Sequence, residues 1–114
     1  MPLRVTFAVM DITVVEQPQQ QRFVALDGAE VVGELDYQVR GEVLVMTHTG
    51  VDPAKRGHGI ATTLVTRALD AVRATGRRVV PVCPFVGHVL RTQPGYADLA
   101  ADAQPDPAAP GNVG

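Results

Sequence analysis

The chain has little of what several common kinds of protein require. It carries one cysteine, Cys83, so an internal disulfide is impossible and no cysteine cluster can hold a metal. Aromatic residues make up 4% of its 114 positions, too few for a platform on which nucleobases stack. The net charge of −2 gives no general attraction to a nucleic-acid backbone or an anionic lipid surface. Nucleic acid and membrane are therefore not expected partners. No apolar run approaches membrane-spanning length, and no stretch has the basic, apolar, small-residue order of a signal peptide, so the expected address is the cytoplasm.

What is present describes a globular domain. Hydrophobic residues are 46% of the chain and charged ones 19%, far from a disordered composition, while 11 glycines and 9 prolines imply many turns. Residues 1–100 are expected to form one domain. Residues 101–114, an Ala/Pro/Gly/Asp tract without periodicity, are expected to be a disordered tail.

Residues 4–15 read as one interrupted strand or two short ones, and the polar, proline-bearing stretch at 17–21 as a loop. Strands follow at 22–26, 31–39 and 42–50, joined by Asp27-Gly28 and Arg40-Gly41, which suit tight turns. That half is an antiparallel meander. The third strand loses its alternation near Met46, as a buried central strand or a bulged one would. Beyond Pro53, Ala61, Leu64, Val65, Ala68 and Val72 fall at helical spacing, with Thr62, Thr63 and Thr66 on a face expected to be solvated. Gly76 should end this helix. The apolar stretch 79–83 reads as a strand parallel to the third, since a strand–helix–strand unit makes a crossover. Short helical pieces are expected at 85–91 and 94–99. The fold class is thus α/β with a mixed sheet.

The stretch Arg56-Gly57-His58-Gly59-Ile60-Ala61 lies where the strand pattern gives way to the long helix. Two glycines permit a tight turn, and the free amides and positive end of the following helix suit a phosphate or pyrophosphate, with Lys55 and Arg56 adding charge at the rim. The plainer reading is a sharp strand-to-helix turn. Arg67, Arg73, Arg77 and Arg78 extend the local basic cluster, which fits a small anionic ligand better than a duplex.

These residues fit the Arg/Gln-x-x-Gly-x-Gly/Ala signature of the GNAT N-acetyltransferase superfamily. With His48-Thr49-x-Val51, Val80-Pro81-x-Cys83-Pro84-Phe85-Val86 and Pro94-x-Tyr96-x-Asp98-Leu99, residues 22–99 resemble its small single-domain branch. The resemblance implies that the parallel strands splay and that the pantetheine arm of acetyl-CoA lies between them. It also implies that Thr49 and Val51 pair with that arm, and that Arg56, Gly57, His58, Gly59, Ile60 and Ala61 hold the pyrophosphate. No metal is implied.

Transfer of an acetyl group to an amine needs a neutral amine and a route for the departing thiolate. Cys83 is a candidate nucleophile or proton donor, or a packing residue. His48 is a candidate base, directly or through a water, or a structural histidine. Tyr96 is expected to anchor the last helical turn, and His58 and His88 to face solvent. Larger members of the superfamily carry helices where this chain has a hairpin turn near Asp27, so an open acceptor side is expected, suited to a lysine side chain or chain terminus as well as to a small amine. The competing expectation is an acyl-CoA-binding module without turnover.

Overall fold

The computed structural model describes residues 12–101. Five strands form one sheet in chain order: β1 (Ile12–Gln17), β2 (Arg22–Asp27), β3 (Glu30–Arg40), β4 (Val43–Val51) and β5 (Arg78–Pro81). β1 to β4 pair antiparallel and β5 lies parallel to β4, so the expected meander and crossover are both present. The readings for residues 4–11 and 102–114 fall outside the described residues.

The crossover is α1 (Ile60–Ala74), and a second helix, α2 (Pro84–Thr92), follows β5. Ile60, Leu64, Val65, Ala68, Leu69 and Val72 of α1 are buried, and with Val86, Val89 and Leu90 of α2 they join Phe23, Leu35, Leu44 and Met46 of the sheet in one core. Thr62, Thr63 and Thr66 are half-buried rather than solvated; Thr66 turns its hydroxyl back to the Thr62 carbonyl, 2.9 Å away. Gly76, at φ +73°, follows the α1 terminus in the left-handed conformation that the helix stop requires.

Two bulges shape the sheet. At the first, Ala25 pairs with Gly33 and Leu26 with Val31, leaving Val32 as the extra residue. At the second, Asp36 pairs with His48 and Tyr37 with Met46, leaving Thr47 extra on β4. Side chains alternate along a strand, so one inserted residue exchanges the faces beyond it. Leu44 and Met46 enter the core before the bulge; after it, Val51 does so and Thr49 approaches Cys83.

The strand expected at 79–83 stops at Pro81. Val82 is 58% exposed and Cys83 caps α2, because Pro84 occupies the first turn of a helix, where its missing N–H costs nothing. Past α2, Tyr96 donates a 2.8 Å hydrogen bond to Asp70 of α1, and Ala101 N donates to the Val79 carbonyl at 2.7 Å. These contacts pin the last turn beneath α1 and along β5.

The arginines at the far end of α1 are structural rather than ligand-directed. Arg73 pairs with Asp98, Arg77 with Glu16, and Arg78 donates to the Ala100 carbonyl. Glu16 also accepts a short 2.5 Å hydrogen bond from Tyr37, tying β1 to β3. Burial alone raises the Glu16 pKa, but the bonds from Tyr37 and Arg77 outweigh it and hold the carboxyl below its usual range. The same burial and the adjacent carboxylate push Tyr37 up to about 12. Glu16 therefore stabilises the fold above its unfolded-state pKa, and that contribution is lost as pH falls through the folded value. Glu16→Gln should cost about 1.5 kcal/mol at neutral pH, typical of hydrogen bonds to a charged group. In urea denaturation series the gap from wild type should close on acidification to about pH 2; a gap independent of pH would contradict the assignment.

Candidate active site

The site is built where β4 and β5 part. Their pairing covers four positions and ends at Met46 opposite Pro81. The Cys83 N–H then donates to the Met46 carbonyl at 2.9 Å, the last bond between backbone groups of the two segments. β4 continues to Val51, and among the described residues no strand lies on that side of it beyond Met46. Asp52 N donates back to the Val32 carbonyl on β3. Alternation from that bond directs the backbone groups of Thr49 and Val51 into the gap and those of His48 and Gly50 toward β3.

Beyond β4, Asp52 caps a single turn of 3₁₀ helix at Pro53–Lys55, accepting from Ala54 N at 2.9 Å. The loop then crosses Gly57 (φ +88°) and Gly59 (φ +74°), and the latter opens α1. Nothing lies within 4 Å of where a Cβ would stand at either glycine. Their requirement is thus the left-handed backbone rather than lack of space. No side chain caps α1 and no acidic residue occupies its first turn. The first intrahelical bond is Thr63 N to the Gly59 carbonyl, so the amides of the opening turn have no helical partner and face outward. A cleft of about 170 Å³ opens beside them, lined by Val51, Arg56, Gly57, Gly59, Ile60, Ala61, Thr62 and Phe85.

Arg56 and Lys55, expected to act together at the rim, differ. Arg56 lines the cleft and its Nε donates to the Val51 carbonyl at 3.3 Å. Lys55 turns away, its Nζ lying 3.7 Å from Asp27 and 3.9 Å from Glu30 at the β2–β3 hairpin. His58 is exposed and outside the cleft lining.

Cys83 is 6% exposed, with Sγ 3.5 Å from the Thr49 hydroxyl. Burial raises its pKa, but hydrogen bonds from Thr49 and from the backbone of Val86 and Phe85 at the start of α2 outweigh that and leave the thiol below its ordinary value. His48 does not join it. The imidazole stands on the other face of the sheet, with Nε2 3.4 Å from a Glu34 carboxylate oxygen.

Residues 22–99 match the family model described as GCN5-related N-acetyl-transferase. The chain belongs to that family. Among solved structures it is similar to a GCN5-like protein from Staphylococcus aureus, determined by NMR in solution, at 22% identity. That match covers 83% of this chain and 91% of the other with a TM-score of 0.58, a likeness of fold. It also matches an aminoglycoside acetyltransferase from an uncultured soil metagenomic sample, crystallised with trehalose, at 19% identity. There the match covers 75% of this chain and 59% of the other with a TM-score of 0.45. No curated protein matches the chain.

Within this GCN5-related N-acetyl-transferase fold, the sequence pattern left two cleft residues without a role. Phe85 lies one residue after the proline that starts α2, and Thr62 lies in the first turn of α1. Counting helix positions from Gly59 and Pro84 points to both. The hydroxyl of Thr49, as distinct from its backbone, was also not foreseen; the bulge turns it toward Cys83.

Two outcomes follow from this geometry. Gly59→Ala should cost about 1 kcal/mol through the left-handed backbone alone, and a melting temperature equal to wild type would contradict this. Thr49→Val should raise the pH at which the Cys83 thiolate forms, read by its ultraviolet absorbance; an unchanged or lower midpoint would show that the hydroxyl does not stabilise the anion.

Proposed function

We propose that the protein is an acetyl-CoA-dependent N-acetyltransferase acting on a primary amine. The observation that carries this reading is the uncapped start of α1, opening on a cleft beside the gap between β4 and β5. Amides of Gly57, Gly59, Ile60 and Ala61, with Arg56, are suited to the CoA pyrophosphate, because a helix N-terminus offers both donors and a positive potential. His58, on the exposed edge of the loop, would add only its backbone amide. Thr49 and Val51 present backbone groups at fixed spacing to the pantetheine arm. This reading calls for no metal.

Cys83 stands where β4 and β5 part, with Sγ beside the Thr49 hydroxyl and its pKa lowered, a setting that suits a nucleophile. Cys83 Sγ attacks the thioester carbonyl, the bond from that carbon to the CoA sulfur breaks, and CoA leaves as its thiolate. A neutral amine then attacks the S-acetyl group, the carbon–sulfur bond to Cys83 breaks and its thiolate is regenerated, and the amine proton reaches His48 through water at the open edge of β4 rather than directly. His48 and Cys83 lie on opposite faces, so this route has acyl donor and acceptor approaching from different sides. The β2–β3 connection is a two-residue turn, and among the described residues both helices pack on the other face of the sheet. An open approach suits a lysine side chain or a chain terminus.

That same separation favours a second reading, an acyl-CoA-binding module without turnover. Among the described residues no helix is long and apolar enough to cross a membrane; a cytoplasmic address is part of the proposal.

Release of free CoA thiol with an amine panel separates the two. Wild type should show an acetyl-CoA-dependent thermal shift and turnover. His48→Ala should keep the shift and lose at least about 100-fold in rate, the usual size of a base contribution. After acetyl-CoA alone, intact mass should show one added acetyl group on wild type and none on Cys83→Ala. A thermal shift without thiol release would select the binding module, and no shift at all would end both readings.

A further inference from the structure

Glu34 and His48 meet over a glycine. On β3 and β4, Glu34 is the register partner of Gly50, and Asp36 that of His48, so Glu34 and His48 are diagonal neighbours on the face away from the helices. Their side chains lean toward each other across Gly50, to 3.4 Å between Oε2 and Nε2. A Cβ on Gly50 would stand 2.5 Å from that Glu34 oxygen and 3.1 Å from His48 Nε2. The first separation is closer than real Cβ atoms come and the second is tight, so a larger residue at 50 must push the flexible end of Glu34 aside and shift His48 by a few tenths of an ångström. Gly50 has no left-handed backbone to explain it, unlike the loop glycines. The space above it is what the glycine provides. The neighbouring charges on this face are otherwise engaged: Asp36 is held by Arg22 at 2.9 Å.

We infer that Glu34 is a positioning residue for His48, and that Gly50 is the seat on which the pair is formed. This rests on the proposed role of His48 as the base. The 3.4 Å approach is an ion-pair contact longer than an ordinary hydrogen bond, and a carboxylate that close to Nε2 favours the tautomer with its proton there, leaving Nδ1 as the nitrogen that takes the amine proton. The step balances: the amine nitrogen forms its bond to the acetyl carbon as the bond from that carbon to Cys83 Sγ breaks and the thiolate leaves, the amine proton moves through water to Nδ1, and the imidazolium so formed faces the Glu34 carboxylate. An exposed strand histidine without that partner would sample several rotamers and both tautomers.

Ring ¹⁵N spectra of His48 in the full chain, recorded where the imidazole is neutral, test the pairing without reference to activity. The Nε2–H form should dominate in wild type, and its population should fall in Glu34→Ala and in Gly50→Ala. Spectra identical in all three, or a proton on Nδ1 in wild type, would overturn the inference. Turnover with acetyl-CoA and a lysine peptide tests the consequence. Glu34→Ala and Gly50→Ala should each lower kcat on the order of 10-fold, with the KM for acetyl-CoA unchanged and Glu34→Gln in between. On a His48→Ala background, Glu34→Ala should slow the reaction no further. A kcat within twofold of wild type for Glu34→Ala, or the same loss on both backgrounds, would overturn the positioning role. If His48→Ala alone turns over like wild type, the base assignment falls and the kinetic part of this inference with it, while the ring spectra still decide the pairing.

Discussion

Everything about the candidate site depends on two neighbouring strands being held apart. Adjacent parallel strands gain a hydrogen bond wherever they continue side by side, so a gap between them persists only where the chain cannot close it. Here the closure is prevented twice. β5 is cut short at Pro81, and Pro84 commits the following residues to a helix that leaves the sheet. On the other side, the extra residue at Thr47 bends β4 and turns its later side chains over. Cys83 stands at the vertex. Its N–H makes the last backbone-to-backbone bond to β4, its carbonyl accepts from Gly87 N within α2, and its thiol meets the Thr49 hydroxyl farther along β4.

The remainder of the fold holds that vertex in place. The buried stripe of α1 anchors the helix across the sheet, and the contacts of Arg73, Arg77 and Tyr96 fix its far end. At about 1.5 Å per residue those contacts lie roughly 20 Å from its N-terminus. The polar groups thus divide by position: Asp70, Arg73 and the Ala71, Val72 and Arg73 carbonyls at the C-terminal end of α1 have protein partners, whereas its first turn has no cap and opens on the cleft. A helix whose start is unsatisfied by its own chain offers that start to an anion.

Much of this was legible in the residues. The hairpin dipeptides, the helical spacing from Leu64 to Val72 and the Gly76 stop specify the sheet order and the crossover, because each rests on local rules. The motif around Gly57 and Gly59 identifies the loop for the same reason. What local rules do not carry is which face a side chain takes after a bulge. Broken alternation near Met46 shows that something changes, but whether one residue is inserted decides if His48 or Thr49 joins the helix side. The bulge puts Thr49 beside Cys83 and His48 beside Glu34, a separation that no spacing reveals. Partnership of charges is equally non-local: Lys55 sits next to Arg56 in sequence, yet it serves the Asp27–Glu30 hairpin while Arg56 lines the cleft. The end of β5 is intermediate, since Pro84 announces a helix but apolar Val82 reads as strand until its exposure is known.

The central claim is that the gap and the start of α1 form one binding site for the CoA moiety. Titrating uniformly ¹⁵N-labelled protein with acetyl-CoA and following the backbone amides tests it most directly. The largest shifts are expected at Thr49, Val51, Gly57, Gly59, Ile60 and Ala61, with the amides of Arg73 and Arg77 little changed. Shifts centred on the far end of α1, or none at all at the loop, would contradict it.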